Sequence, residues 1–305
     1  MNDVQERLDG GEIVILDGAM GTELERRGVA MNDVAWDAAA LATQPDLVRE
    51  VHEDYIKAGA DVIITNTFAT ARHVLEPAGM GGQVRALNIR AVTLAKEARE
   101  NVADGPVSIA GSISTMSARN DRSYEPRAEK ARDNYREQAE VLAESGVDVI
   151  ALEMMRDLEQ TSHAAEAAVA TGLPVWVGFS CKISDGGTVV LWDGHHTLAE
   201  ALEHIPPLGA SLVSIMHTLT EDTPAALREV TSHWQGPVGA YPHSGEFIMP
   251  NWQFIDMISP EDFTRQAQGW TGNGRAARGR VLWHRTRAYP AAQRTAPEAL
   301  ILKGG

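Results

Sequence analysis

One cysteine in 305 residues, Cys181, excludes an internal disulfide framework. No stretch approaches 18 uncharged apolar residues, which argues against a membrane span. Met1-Asn-Asp-Val-Gln-Glu-Arg7 lacks the basic-then-apolar pattern of a signal peptide, so a cytoplasmic protein is expected. Positive charge is scarce: 27 Lys and Arg against 42 Asp and Glu give a net charge of −15. That surplus repels nucleic acid and anionic membranes, so neither is expected as a partner.

The stretch Ile13-Val-Ile-Leu-Asp-Gly-Ala-Met-Gly-Thr-Glu-Leu24 sets the pattern of the chain. Four apolar or β-prone residues predict a short buried strand, and Asp17-Gly18 with Gly21 predicts a sharp turn that brings backbone close to a ligand. The pattern recurs. Apolar runs at 61–68, 106–113, 147–153, 174–180, 211–216 and 237–242 predict strands two to seven. Helical spacing at 45–57, 84–103, 127–144, 158–170, 198–204, 224–232 and 260–270 predicts the helices between and after them. Continuously apolar strands alternating with helices point to parallel βαβ units buried on both faces. A doubly wound open sheet competes, but no Gly-x-Gly-x-x-Gly follows strand one. The expected fold is therefore α/β, a (β/α)8 TIM-type barrel over residues 1–272 whose eighth strand is degraded, followed by an aberrant tail over 273–305.

In such a barrel the carboxyl ends of the strands converge on one cleft. Those ends supply Asp17, Thr65, Asn66, Thr67, Ser112, Glu153, Ser180, Cys181, His217, Tyr241, His243, Ser244 and Glu246. Two carboxylates without a basic neighbour in sequence, Asp17 and Glu153, suit an ammonium group. Glu153 ends an apolar strand, where an unpaired acid is costly unless a cation meets it. Substrate contacts are expected from Asp17, Glu153, Thr67, Ser180, Tyr241 and Glu246.

Asp17-Gly-Ala-Met-Gly-Thr22, Thr65-Asn-Thr-Phe68, Ala110-Gly-Ser-Ile113, Val149-Ile-Ala-Leu-Glu153, Gly178-Phe-Ser-Cys181 and Tyr241-Pro-His-Ser-Gly-Glu246 together resemble the homocysteine S-methyltransferase family, in family order over roughly residues 10–272. The resemblance implies a barrel that methylates the sulfur of homocysteine, with Asp17 and Glu153 holding the ammonium group. It also implies zinc. A thiol of pKa about 8.5 is mostly protonated at neutral pH. Zinc on three protein ligands takes the substrate sulfur as its fourth and strips the proton. In the family those ligands are cysteines, one after strand six and two in Gly-Gly-Cys-Cys at strand eight.

This chain has none of the three. Strand six ends Ile215-Met-His217, so His217 is the candidate metal ligand in place of the first cysteine. The strand-eight region reads Gly274-Arg-Ala-Ala-Arg-Gly-Arg-Val-Leu-Trp-His-Arg-Thr-Arg-Ala-Tyr-Pro290, basic and without strand periodicity. Read one base later, Val281-Leu-Trp-His284 permits Cys-Cys-Gly, the glycine being forced by Trp283 and His284. Allowed codons through Tyr289 then give Thr-Gly-Pro-Glu-His-Ile, the family's sequence after its cysteines, and those upstream give an apolar strand. A one-base insertion or two-base deletion near Asn273 is the expected account of the tail, with natural divergence as the alternative.

Two structural outcomes follow. The barrel is left open between strands one and seven, or a short strand forms near Arg280-Val-Leu-Trp283, where Val281, Leu282 and Trp283 are the only consecutive apolar residues available. The tail from Thr286 to Gly305 is expected to pack loosely. Two functions follow as well: a methyltransferase that passes a methyl group from a small sulfonium-type donor to homocysteine, giving methionine, or a vestigial amino-acid-binding barrel without transfer. A chain of this length has room for the barrel and no added folate or cobalamin domain.

Overall fold

Eight short parallel strands close into a barrel: β1 (Ile13–Leu16), β2 (Val62–Ile64), β3 (Ser108–Ser114), β4 (Val149–Met155), β5 (Val175–Phe179), β6 (Leu212–Leu219), β7 (Val238–His243) and β8 (Arg280–Trp283). Each pairs with its sequence neighbours, and β8 joins β7 to β1. The computed structural model describes residues 3–243, 245–248, 253–255, 259–271 and 280–283.

The short-strand outcome holds for the eighth position. Arg280 through Trp283 lie opposite Ile13 through Leu16, and Arg280 through Leu282 opposite Val238 through Ala240. The barrel is closed, not open between β1 and β7, and its last strand lies beyond residue 272. The loosely packed segment expected at Thr286–Gly305 falls outside the described residues.

Aliphatic runs fill two layers. Inside the barrel, Val14, Leu16, Val62, Ile64, Ala110, Val149, Ala151, Trp176, Leu212 and Met216 pack together. The helix Asp3–Asp9, not anticipated from sequence, adds Val4 and Leu8 to that cluster and plugs the amino-terminal mouth. Its Gln5 accepts a hydrogen bond from Trp176 Nε1 at 3.4 Å. Outside, the helices bury their apolar faces on the strands. Pro45–Lys57 opens on a proline, buries Val48, Val51, Tyr55 and Ile56, and ends before Gly59 at φ +100°. Among the described residues no helix is long and apolar enough to cross a membrane.

Three details of the strands shape the cleft. β2 stops at Ile64, short of the expected residue 68, so Thr65, Asn66 and Thr67 form a loop instead of sheet. β4 carries a register shift between Leu152 and Met155, with Met154 at φ +53°. β6 carries another between Met216 and Leu219, with His217 at φ +49°. Bulges of this kind re-aim side chains next to functional sites, and here they flank Glu153 and contain His217. Two hairpins that the strand count missed, Cys181–Ile183 with Val189–Leu191 and Glu246–Ile248 with Gln253–Ile255, stand at the same end.

Candidate active site

A cleft opens at the carboxyl ends of the strands. Asp17, Asp37, Thr65, Asn66, Glu153, His217 and Tyr241 line it, with Met20, Trp36 and Phe68 as apolar wall. β1 and the turn after it deliver Asp17, β4 delivers Glu153, β6 His217 and β7 Tyr241.

Asp17 is 2% exposed. Its Oδ2 accepts a hydrogen bond from the Ile64 N–H at 2.8 Å, while Oδ1 has no hydrogen-bond partner among the described residues. Burial drives its pKa well above the usual carboxylate range. The Ile64 N–H works against that rise and the charge of Glu153 adds to it. Glu153, also buried, sets Oε2 3.6 Å from Nε2 of His217. Among the described residues neither acid meets a lysine or arginine within salt-bridge distance.

The two glycines after Asp17 are required by close packing. A Cβ on Gly18 would lie 2.7 Å from the Tyr55 hydroxyl, which donates to the Ala19 carbonyl at 3.1 Å. A Cβ on Gly21 would lie 2.3 Å from the Trp36 ring. Tyr55 and Trp36 thus pack against the bare backbone of the turn, and Gly18 and Gly21 themselves line the cleft.

His217 sits at the centre of an aromatic cluster. Its ring lies 5.6 Å from Phe68, 5.5 Å from Tyr241 and 5.1 Å from His243. Its Nδ1 is 3.0 Å from His243 Nε2, so one of these nitrogens carries the proton between them. Burial, then the neighbouring His217, lowers the pKa of His243 to about 3. Among the described residues Nε2 of His217 has no hydrogen-bond partner, and it faces Glu153.

Of the residues expected to touch substrate, Asp17, Glu153 and Tyr241 line the cleft, as does the candidate metal ligand His217. Thr67 and Ser180 do not line it. Thr67 is fully buried, donates to the Ser112 carbonyl at 2.7 Å and shares a hydrogen bond with Thr65. Ser180 donates to the Met216 carbonyl at 3.0 Å. Both hydroxyls satisfy backbone groups freed where the strands end. Glu246 begins the second hairpin, and its side chain is outside the described residues. Cys181 is 1% exposed, away from the cleft, and burial raises its pKa. Among the described residues no three His, Cys, Asp or Glu side chains are grouped to hold a metal ion.

Sequence reading missed Asp37 and Trp36. Asp37, 2% exposed, belongs to a single-turn helix, Asp37–Ala39, outside any strand. Its Oδ1 has no hydrogen-bond partner among the described residues, and burial, with the charge of Glu153 assisting, raises its pKa to about 7. Asn66 is also 2% exposed, with neither amide atom hydrogen-bonded among the described residues.

The homocysteine S-methyltransferase family model matches residues 14–279. The chain is 30% identical to a selenocysteine methyltransferase of Astragalus bisulcatus, over 87% of this chain and 86% of that protein. It is also 30% identical to the homocysteine S-methyltransferase YbgG of Bacillus subtilis, over 90% of this chain and 91% of YbgG. The crystal structure of the metallated homocysteine methyltransferase MmuM from Escherichia coli superposes with a TM-score of 0.73 at 27% identity, covering 94% of this chain and 96% of MmuM. With the barrel, the paired acids of its cleft and these matches over most of its length, the chain belongs to the homocysteine S-methyltransferase family.

Proposed function

We propose that this chain transfers a methyl group from a small sulfonium donor to the thiol of homocysteine, giving methionine. The observation that carries the reading is the pair Asp17 and Glu153. Two carboxylates from strands on different sides of the barrel line one cleft with no lysine or arginine partner among the described residues. Buried acids of this kind are held for a cationic ligand, and an amino acid's ammonium group supplies it. Asn66 offers its amide, unbonded among the described residues, to the rest of the ligand backbone, and Tyr241 and Phe68 line the same cleft. In the reaction the donor's S–CH3 bond breaks, its electron pair staying on what becomes a neutral thioether. The acceptor sulfur forms the new S–CH3 bond and its thiol proton leaves.

The zinc of the family does not fit the residues present. None of the three thiolate positions holds a cysteine: the two at strand eight have none, and the single cysteine of the chain, Cys181, is buried outside the cleft. At the third, His217 turns Nδ1 to His243 and Nε2 to Glu153 instead of converging with further ligands. We therefore also propose that the tail from about Asn273 is read out of frame. The coding DNA tests that: codons unable to yield Cys-Cys in the shifted frame overturn it.

Methyl transfer is tested by incubating the purified chain with homocysteine and either S-methylmethionine or S-adenosylmethionine, and following methionine. Formation above the uncatalysed rate is expected. Its absence with both donors, in the chain as written and in the frame-restored chain, favours the vestigial amino-acid-binding barrel.

A further inference from the structure

Glu153 ends the regular part of β4, and the strand breaks its alternation immediately after it. Val149 and Ala151 point into the barrel, Ile150 and Leu152 out toward the helices, and Glu153 continues the inward series. A regular strand would send Met155 inward next. Instead Leu152 pairs with Val177 and Met155 with Phe179, so Glu153 and Met154 together face the single residue Gly178. That extra residue flips the side chain beyond it, and Met155 is fully buried in the outer layer with Leu152.

The preference of Met154 does not hold this bulge. Met154 lies at φ +53°, a left-handed conformation that is disfavoured for a residue with a Cβ and free to glycine. What fixes it comes from β3, whose last residue, Ser114, lies opposite Glu153. The hydroxyl of the next residue, Thr115, 2% exposed, donates to the Met154 carbonyl. The same loop grips the chain farther on, where the buried Arg156 guanidinium donates to Asn120 Oδ1 at 2.7 Å and Ser117 Oγ at 3.2 Å. Met155 is pinned as well, its carbonyl accepting the Ser180 N–H at 3.0 Å. With the chain fixed beyond Met154, any relaxation of that residue falls on Glu153. Neither Thr115 nor Arg156 lines the cleft.

We propose that Thr115 is a positioning residue for the acceptor. Its hydroxyl holds Met154 in the left-handed conformation that keeps the Glu153 carboxylate aimed at the ligand's ammonium group. This rests on the reading of Asp17 and Glu153 as the ammonium anchor and adds the residue that sets one of them.

The test is calorimetric binding of two probes under reducing conditions: homocysteine, and 4-mercaptobutanoate, which is homocysteine without its ammonium group. The wild-type chain is expected to prefer homocysteine by about tenfold or more. Thr115→Val keeps the shape and removes the donor. It should weaken homocysteine about tenfold and leave 4-mercaptobutanoate within about threefold of wild type. Thr115→Ser, which keeps the hydroxyl, should retain the preference. Adding Met154→Gly to Thr115→Val should restore it, because glycine holds a positive φ unaided. Where Thr115→Val does not fold, Met154→Val disfavours the same conformation from the other end of the contact and should show the same selective loss. A preference that survives in Thr115→Val or Met154→Val, an equal loss for both probes, or a double variant no better than Thr115→Val overturns the proposal. A wild type that shows no preference overturns the ammonium-anchor reading, and the proposal with it.

Discussion

Asp17→Asn separates ligand binding from folding, because the two should move in opposite directions. The Asp17 carboxylate is 2% exposed, and burial holds its pKa well above the usual range, so in the empty cleft its charge is a burden. Asparagine keeps the shape, and its carbonyl can accept the Ile64 N–H that Oδ2 now accepts at 2.8 Å. Stability of the free protein should therefore hold or rise. Binding should not. The amide adds N–H donors where an ammonium group needs an acceptor, and removing one partner of a buried charge pair costs about 2–5 kcal/mol. Glu153 still lines the cleft in the variant, which puts the loss near the lower end, about 2–3 kcal/mol, or roughly 30- to 150-fold in Kd. Titration calorimetry with homocysteine under reducing conditions reads the affinity, and thermal unfolding reads the fold. An affinity within about twofold of wild type would refute the role given to Asp17. A parallel loss of affinity and Tm would refute the claim that its charge serves the ligand and not the fold.

Glu153→Gln should weaken homocysteine binding on the same scale of about 2–5 kcal/mol, and calorimetry on the folded variant checks it. Gly21→Ala should push Trp36 out of the cleft wall, since the new methyl would meet its ring at 2.3 Å; tryptophan fluorescence should change and S-methylmethionine binding fall. His52 is fully buried with neither ring nitrogen hydrogen-bonded among the described residues, and burial lowers its pKa to about 3. The unfolded chain takes up that proton below about pH 6.5 and the folded chain does not until about pH 3. Stability is therefore lost as pH falls through this window, by up to about 5 kcal/mol at its lower end. His52→Met should flatten that slope in melts run between about pH 7 and 4.5. Restoring the reading frame near Asn273 should raise Tm and bring in about one zinc per chain by elemental analysis.

Much of the barrel was legible because strands buried on both faces must be continuously apolar. The helix at 45–57 was readable to the residue, since proline opens it and a glycine at positive φ follows its end. The acids Asp17 and Glu153 were legible for the same reason: a charge at the end of a buried strand has few structural uses. Thr67 and Ser180 looked equivalent to them, but a hydroxyl can bend back onto a freed carbonyl, as each does. A carboxylate cannot donate in that way. Asp37 gave no signal, because a short irregular loop has no periodicity and only the fold brings it beside Glu153. The bulges that aim Glu153 and His217 were equally hidden, as they change backbone twist without interrupting the apolar pattern. At strand eight, three apolar residues in a basic segment marked where a strand could form, and β8 forms there.

A crystal structure of the chain soaked with homocysteine tests the central claim most directly. The predicted result places the ligand's ammonium nitrogen within about 3 Å of carboxylate oxygens of both Asp17 and Glu153, its sulfur directed toward His217. Homocysteine bound elsewhere, or bound in the cleft with its ammonium group turned away from both acids, would contradict it.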